Sequence, residues 1–86
     1  MLVADDISKI GFNQSVEFGE RTLHVQTEVS GKDEIVVRTT VLEGGVVQSA
    51  ESAPCPTELR ELEQIRSFAG AQHERYVNKA RRGEVG

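Results

Sequence analysis

The stretch Arg21-Thr22-Leu23-His24-Val25-Gln26-Thr27-Glu28-Val29 decides the fold. Leu23, Val25, Thr27 and Val29 alternate with His24, Gln26 and Glu28, and a strict period of two marks a strand with one buried and one open face. Just before it, Gly19-Glu20 is a Gly-X pair suited to a two-residue hairpin turn. That turn pairs Phe18 with Arg21 and Val16 with Leu23. A first strand over residues 14–18 then puts Val16 and Phe18 on the face of Leu23, Val25 and Val29.

On the other side, residues 35–42 read as a third strand. A five-residue loop, or four residues plus a bulge, opposes Val29 to Ile35, Thr27 to Val37, Val25 to Thr39 and Leu23 to Val41. A loop one residue shorter would turn the wrong face inward, because a one-residue slip exchanges the faces of a strand. With Glu43-Gly44 as the next turn, a fourth strand over residues 45–52 opposes Leu42 to Gly45 and Val41 to Val46. Val16, Phe18, Leu23, Val25, Val29, Ile35, Val37, Val41, Val46 and Ala50 share one apolar face in this reading, and Gln48 is its misfit. Three turns that agree on one face predict a β-meander over residues 14–53.

A sheet with one apolar face needs a cover. Composition changes at Pro54-Cys55-Pro56, after which Glu, Arg, Leu, Gln and Ala favour helix. Pro56 or Thr57 suits a helix start, and Gly83 suits its stop. Leu59, Leu62, Ile65, Ala69, Tyr76 and Ala80 line one stripe, with His73 packed among them. A helix over residues 57–82 would be roughly 37 Å long, against about 28 Å for the strands, so its C-terminal end is expected to project or to pack on another chain. Gly70 marks a close backbone contact, a bend or a tolerated surface glycine. Residues 1–13 hold Leu2, Val3, Ile7, Ile10 and Phe12, either in a short helix capped by Asp5 or Asp6 or in an arm. The predicted fold is therefore α+β: a four-stranded antiparallel β-meander followed by one long C-terminal α-helix packed on one sheet face.

The chain has 86 residues, of which 37% are hydrophobic and 5% aromatic, so it is expected to hold one domain with a thin aliphatic core. It is too apolar to be disordered throughout and has no run near the roughly 18 apolar residues of a membrane helix. The first residues show neither a basic nor an apolar leader segment, and one cysteine forms no internal disulfide, so a reducing, cytoplasmic setting is the expectation. Net charge is −4, with four bases against nine acids up to residue 55 and six against five after it. That balance argues against nucleic acid as the main partner. The basic residues Arg75, Lys79, Arg81 and Arg82 are better explained by the C-terminal end of a helix.

Catalysis is not expected. Gly44-Gly45 is a hairpin turn rather than a phosphate loop, Cys55 has no base beside it, and His24 and Glu28 lie too far apart along their strand to act as a pair. Cys55, His24 and His73 alone make no zinc site, and no cofactor is implied. Two kinds of surface stand out. In the register above, His24, Gln26, Glu28, Arg38, Thr40, Ser49 and Glu51 share the outer face. Of these His24, Gln26, Arg38 and Ser49 could take a polar or anionic ligand, with Arg38 as the fork. Val36, Leu42 and Val47 are aliphatic on that same face. Phe68 lies opposite Leu59 on the helix and either meets the N-terminal arm or anchors a partner. With Arg75 and Lys79, these residues point to a small non-catalytic interaction module that pairs with itself or with another protein. A ligand-binding regulatory domain around Arg38 is the alternative.

Overall fold

The structure is a computed structural model and describes residues 7–31 and 33–84. Leu2, Val3, Asp5 and Asp6 lie outside the described residues. Strands β1 (Gly11–Phe18), β2 (Arg21–Ser30), β3 (Val36–Glu43) and β4 (Val46–Pro54) form one antiparallel sheet in the order β1-β2-β3-β4. The helix α1 (Leu62–Arg81) follows them and packs on the sheet.

The first hairpin pairs Phe18 with Arg21 and Val16 with Leu23, as its turn predicts. β1 begins earlier than expected, because Phe12 and Gln14 continue the alternation of Val16 and pair with Thr27 and Val25. Phe12 therefore belongs to the sheet and not to the arm. Phe18, expected in the core, is 40% exposed.

Between β2 and β3 the faces are as expected and the partners are not. Val29 pairs with Val37, Thr27 with Thr39 and Val25 with Val41, two residues away from the predicted register. Gly31, at φ +120, starts the loop where a Cβ would collide with the carbonyl of Glu34. Ile35 is left outside the strand and accepts a hydrogen bond from the Cys55 N–H at 2.7 Å.

Between β3 and β4 the faces themselves change. The turn is Gly44-Gly45, both at positive φ, and Glu43 pairs with Val46. Two consecutive positive-φ residues suit a type I′ turn, whose twist matches that of the strands. A β-bulge follows: Leu42 pairs with Val47, but Val41 pairs with Ser49. Gln48 is the extra residue, which accounts for its misfit. The bulge reverses the alternation beyond it. Ser49, Glu51 and Ala53 take the inner face, Ala50 goes outside, and Val46, expected in the core, is 63% exposed.

α1 starts five residues later than expected. Pro56 and Thr57 open a turn closed by Leu59 N–H on the Pro56 carbonyl. The N-terminus of the helix is instead capped by Gln64, whose Oε1 accepts the backbone N–H groups of Arg60 and Glu61, both at 3.1 Å. Twenty helical residues measure about 30 Å, which matches the strands and removes the expected projection. The Gly83 backbone ends against the ring of Phe18.

α1 lies across β1, β2 and β3 and reaches β4 through the long side chains of Gln72, Arg75 and Tyr76. Its buried positions are Ile65, Ala69, Gln72, His73, Tyr76, Val77 and Ala80. The apolar core has two parts. One gathers Ile7, Ile10, Val29, Val37, Cys55, Ile65 and Ala69, with Phe12, Ile35, Leu59, Leu62 and Phe68 packed around it. The other gathers Val16, Leu23, Val25, Val41, Tyr76, Val77 and Ala80. The polar rung Thr27–Thr39–Glu51 crosses the sheet between them.

Candidate functional site

Successive strands stack the outer-face residues into rungs. Ser15, His24, Leu42 and Val47 form one, Asn13, Gln26, Thr40 and Ala50 the next, and Gly11, Glu28, Arg38 and Ser52 a third. Arg38 therefore faces Glu28 and Ser52, not Gln26 and Ser49. Its Nη1 donates to Ser52 Oγ at 3.0 Å. His24 faces Leu42 rather than Thr40. Its imidazole is held by Ser15 Oγ, 3.3 Å from Nδ1, and by Asn13 Oδ1 at Nε2. Ser49 lies opposite Val41 on the inner face. The bulge at Gln48 thus takes Ser49 out of the expected ligand set, and the β2–β3 register leaves His24, Gln26 and Arg38 on three different rungs.

The aliphatic residues of that face sit where the sequence places them. Val36 and Leu42 are half-buried, and Val47 is 55% exposed beside Val46 on β4. Phe68 packs against the cluster that holds Ile7 and Ile10, so it meets the arm side of the core. Arg75 and Lys79 are occupied within the chain. Arg75 Nη2 lies 3.6 Å from Glu51 Oε2, and Lys79 Nζ lies 4.9 Å from the centre of the Tyr76 ring.

The densest chemistry is inside. Thr27 Oγ1 is 2.8 Å from His73 Nδ1 and 2.8 Å from Thr39 Oγ1. Gln72 Nε2 donates to Thr39 Oγ1 at 3.0 Å and to the Val37 carbonyl at 3.2 Å. Burial pushes the His73 pKa down, against a smaller upward pull from Glu74. In the Nε2–H tautomer the neutral imidazole accepts at Nδ1, and the donors then run one way: Gln72 to Thr39, Thr39 to Thr27, Thr27 to His73. The Phe12 ring stacks on His73 with centroids 5.2 Å apart. At the rim, Tyr76 Oη donates to Glu51 Oε1 at 2.6 Å, and that bond raises the tyrosine pKa.

This layer is closed to substrate: Thr27, Thr39, Gln72 and His73 are all buried. Gln72 Oε1 is buried without a hydrogen-bond partner. The sequence reading misses Gln72 and Thr39 as partners. The available signal is that Gln72 falls on the stripe of Ile65, Ala69 and Tyr76, where it must meet the two threonines of the inner face.

A cleft of about 480 Å³ opens at the other end, between residues 33–35 and the segment that leads into α1. Ile35, Cys55 and Leu59 line it together with Asp33, Glu34, Arg60 and Glu61. Burial raises the Cys55 thiol pKa, and the Glu58 carboxylate adds to the effect. A thiol so held is a poor nucleophile. Among the described residues, no group of His, Cys, Asp and Glu could hold a metal ion, and no helix is long and apolar enough to cross a membrane.

No family model matches the chain, and no curated protein or solved structure is detectably similar to it.

Proposed function

We propose that this chain is a small non-catalytic interaction module that associates with itself through its sheet. The observation that carries the reading is the one-sided cover. α1 lies on one face, and among the described residues no helix or strand covers the opposite face. Val46 and Val47, the most exposed large aliphatic residues among those described, sit at the β3–β4 corner of that sheet. Half-buried Leu42 stands next to Val47 across the ladder. Exposed apolar side chains that adjoin one another mark contact surfaces more often than scattered ones do. The chemistry supports binding over catalysis: the polar layer is sealed, and the Cys55 thiol is held protonated.

Sedimentation equilibrium of the purified chain from low to high micromolar concentration tests the proposal. A mass that rises to twice the monomer is expected. A monomer across the whole range would overturn it.

A further inference from the structure

β4 is an edge strand, and its open hydrogen-bonding groups are placed by one bond. The Cys55 N–H donates inward to Ile35, and an antiparallel ladder alternates the direction of the backbone groups along a strand. Carried back along the β3–β4 register, that bond turns Ala53, Glu51 and Ser49 toward β3 and turns Ser52 and Ala50 outward. Pro54, at the next outward position, has no N–H to offer. The bulge at Gln48 interrupts the ladder near the other end. The open stretch beyond the bulge is residues 49–53.

We propose that this stretch pairs antiparallel with the same stretch of a second copy, with Ala50 opposite its own counterpart on the two-fold axis. The seam deepens the self-association reading above and rests on it. Charge selects the register. With Ala50 on the axis, Glu51 faces Ser49 of the other copy; with Glu51 on the axis, two carboxylates would stand directly opposite, which is unfavourable. The same alignment sets Ser52 against Gln48, so the seam ends at the bulge on either side of the axis. Between the bulge at Gln48 and Pro54 the edge carries no lysine, and its one carboxylate is drawn inward by Tyr76 and Arg75. Because α1 lies over β1, β2 and β3, the two helices stand apart across the seam and leave the approach open. The opposite edge is less suited: β1 carries exposed Glu17 and no exposed aliphatic residue, and its Phe18 packs on Gly83.

Sedimentation equilibrium and amide hydrogen exchange on the full chain test the seam. In the wild type, the Ala50 and Ser52 amides are expected to gain protection as concentration rises. Ala50→Pro removes an N–H that β3 does not use, so it should leave the circular dichroism unchanged and weaken dimerisation at least about tenfold. Ala50→Lys puts like charges on the axis and should act in the same direction, whereas Glu17→Lys on β1 should leave the dimer intact. A wild-type dimer whose Ala50 and Ser52 amides stay unprotected, or which survives both Ala50 substitutions, overturns the seam and leaves self-association standing. A wild-type monomer overturns both. If a variant fails to fold, the wild-type exchange pattern decides alone.

Discussion

Thr27 Oγ1 and His73 Nδ1 meet at 2.8 Å, so the second strand of the sheet and the helix are joined by a hydrogen bond in the middle of an apolar interface. With the neutral imidazole in its Nε2–H tautomer, the threonine is the donor and Nδ1 the acceptor. Protonation of His73 would set two donors against each other unless the hydroxyl chain turned round.

Stability should therefore depend on pH in a defined window. The folded-state pKa of His73 is lowered from its unfolded value of about 6.5. Unfolding then takes up a proton below that value, so the stability is complete above pH of about 6.5 and falls as the pH drops toward the folded-state pKa. Urea midpoints measured from pH 8 to pH 5 should decline for the wild type. They should decline less for His73→Gln, which keeps an acceptor and loses the titration.

Thr27→Val keeps the shape and strands His73 Nδ1 without its donor. The expected cost is about 1–3 kcal/mol. Thr39→Val should cost a similar amount through Gln72. Because the two hydroxyls are bonded to each other, the double variant should cost less than the sum, with a coupling of about 0.5 kcal/mol or more in denaturant titrations. Strict additivity would mean that the chain of hydroxyls does not act as a unit.

Two glycines of the helix region should respond to alanine in opposite senses. At Gly70 the added Cβ would lie 3.5 Å from the Phe12 ring, an ordinary contact, so Gly70→Ala should stabilise by about 0.5–1 kcal/mol through helix propensity. At Gly83 the backbone is at φ +70 and the Cβ would reach within 2.5 Å of the Phe18 ring. Gly83→Ala should destabilise by about 1 kcal/mol or more. Thermal melts of the two variants give the signs directly.

Cys55 is buried at 7% exposure and its pKa is raised. An aromatic disulfide reagent at pH 8 should label the native protein slowly and react at once in denaturant. Native labelling as fast as that of a free thiol would show that the segment between β4 and α1 opens readily.

The sequence makes the faces of β1, β2 and β3 legible and leaves their pairing open. Leu23, Val25 and Val29 point inward whether Val29 meets Ile35 or Val37, because hydrophobic alternation repeats every two residues. The bulge could be noticed and not placed. Gln48 is visibly wrong for an apolar face, yet nothing in the sequence fixes the turn at Gly44-Gly45 instead of Glu43-Gly44. The moved turn sets Val46 beside Glu43, where it is exposed, and the bulge after it sends Ala50 outside and Ser49 to the inner face, away from Arg38. The helix start is missed for a local reason. Pro56 and Thr57 are favourable starting residues, but the decisive cap is Gln64 bonding back to Arg60 and Glu61.

The buried polar layer has a consequence for how the strands find each other. An alignment with Val29 opposite Ile35 would bury the same apolar face as the observed one, so oil-like burial cannot choose between them. It would also set Thr27 against Val37 and Thr39 against Val25, and so part the two hydroxyls that lie 2.8 Å apart in the fold. An interior hydroxyl without a partner costs about 1–3 kcal/mol. The threonine pair works as a detent: a sheet that could slide by a full step along its own grease clicks into place where the two hydroxyls meet.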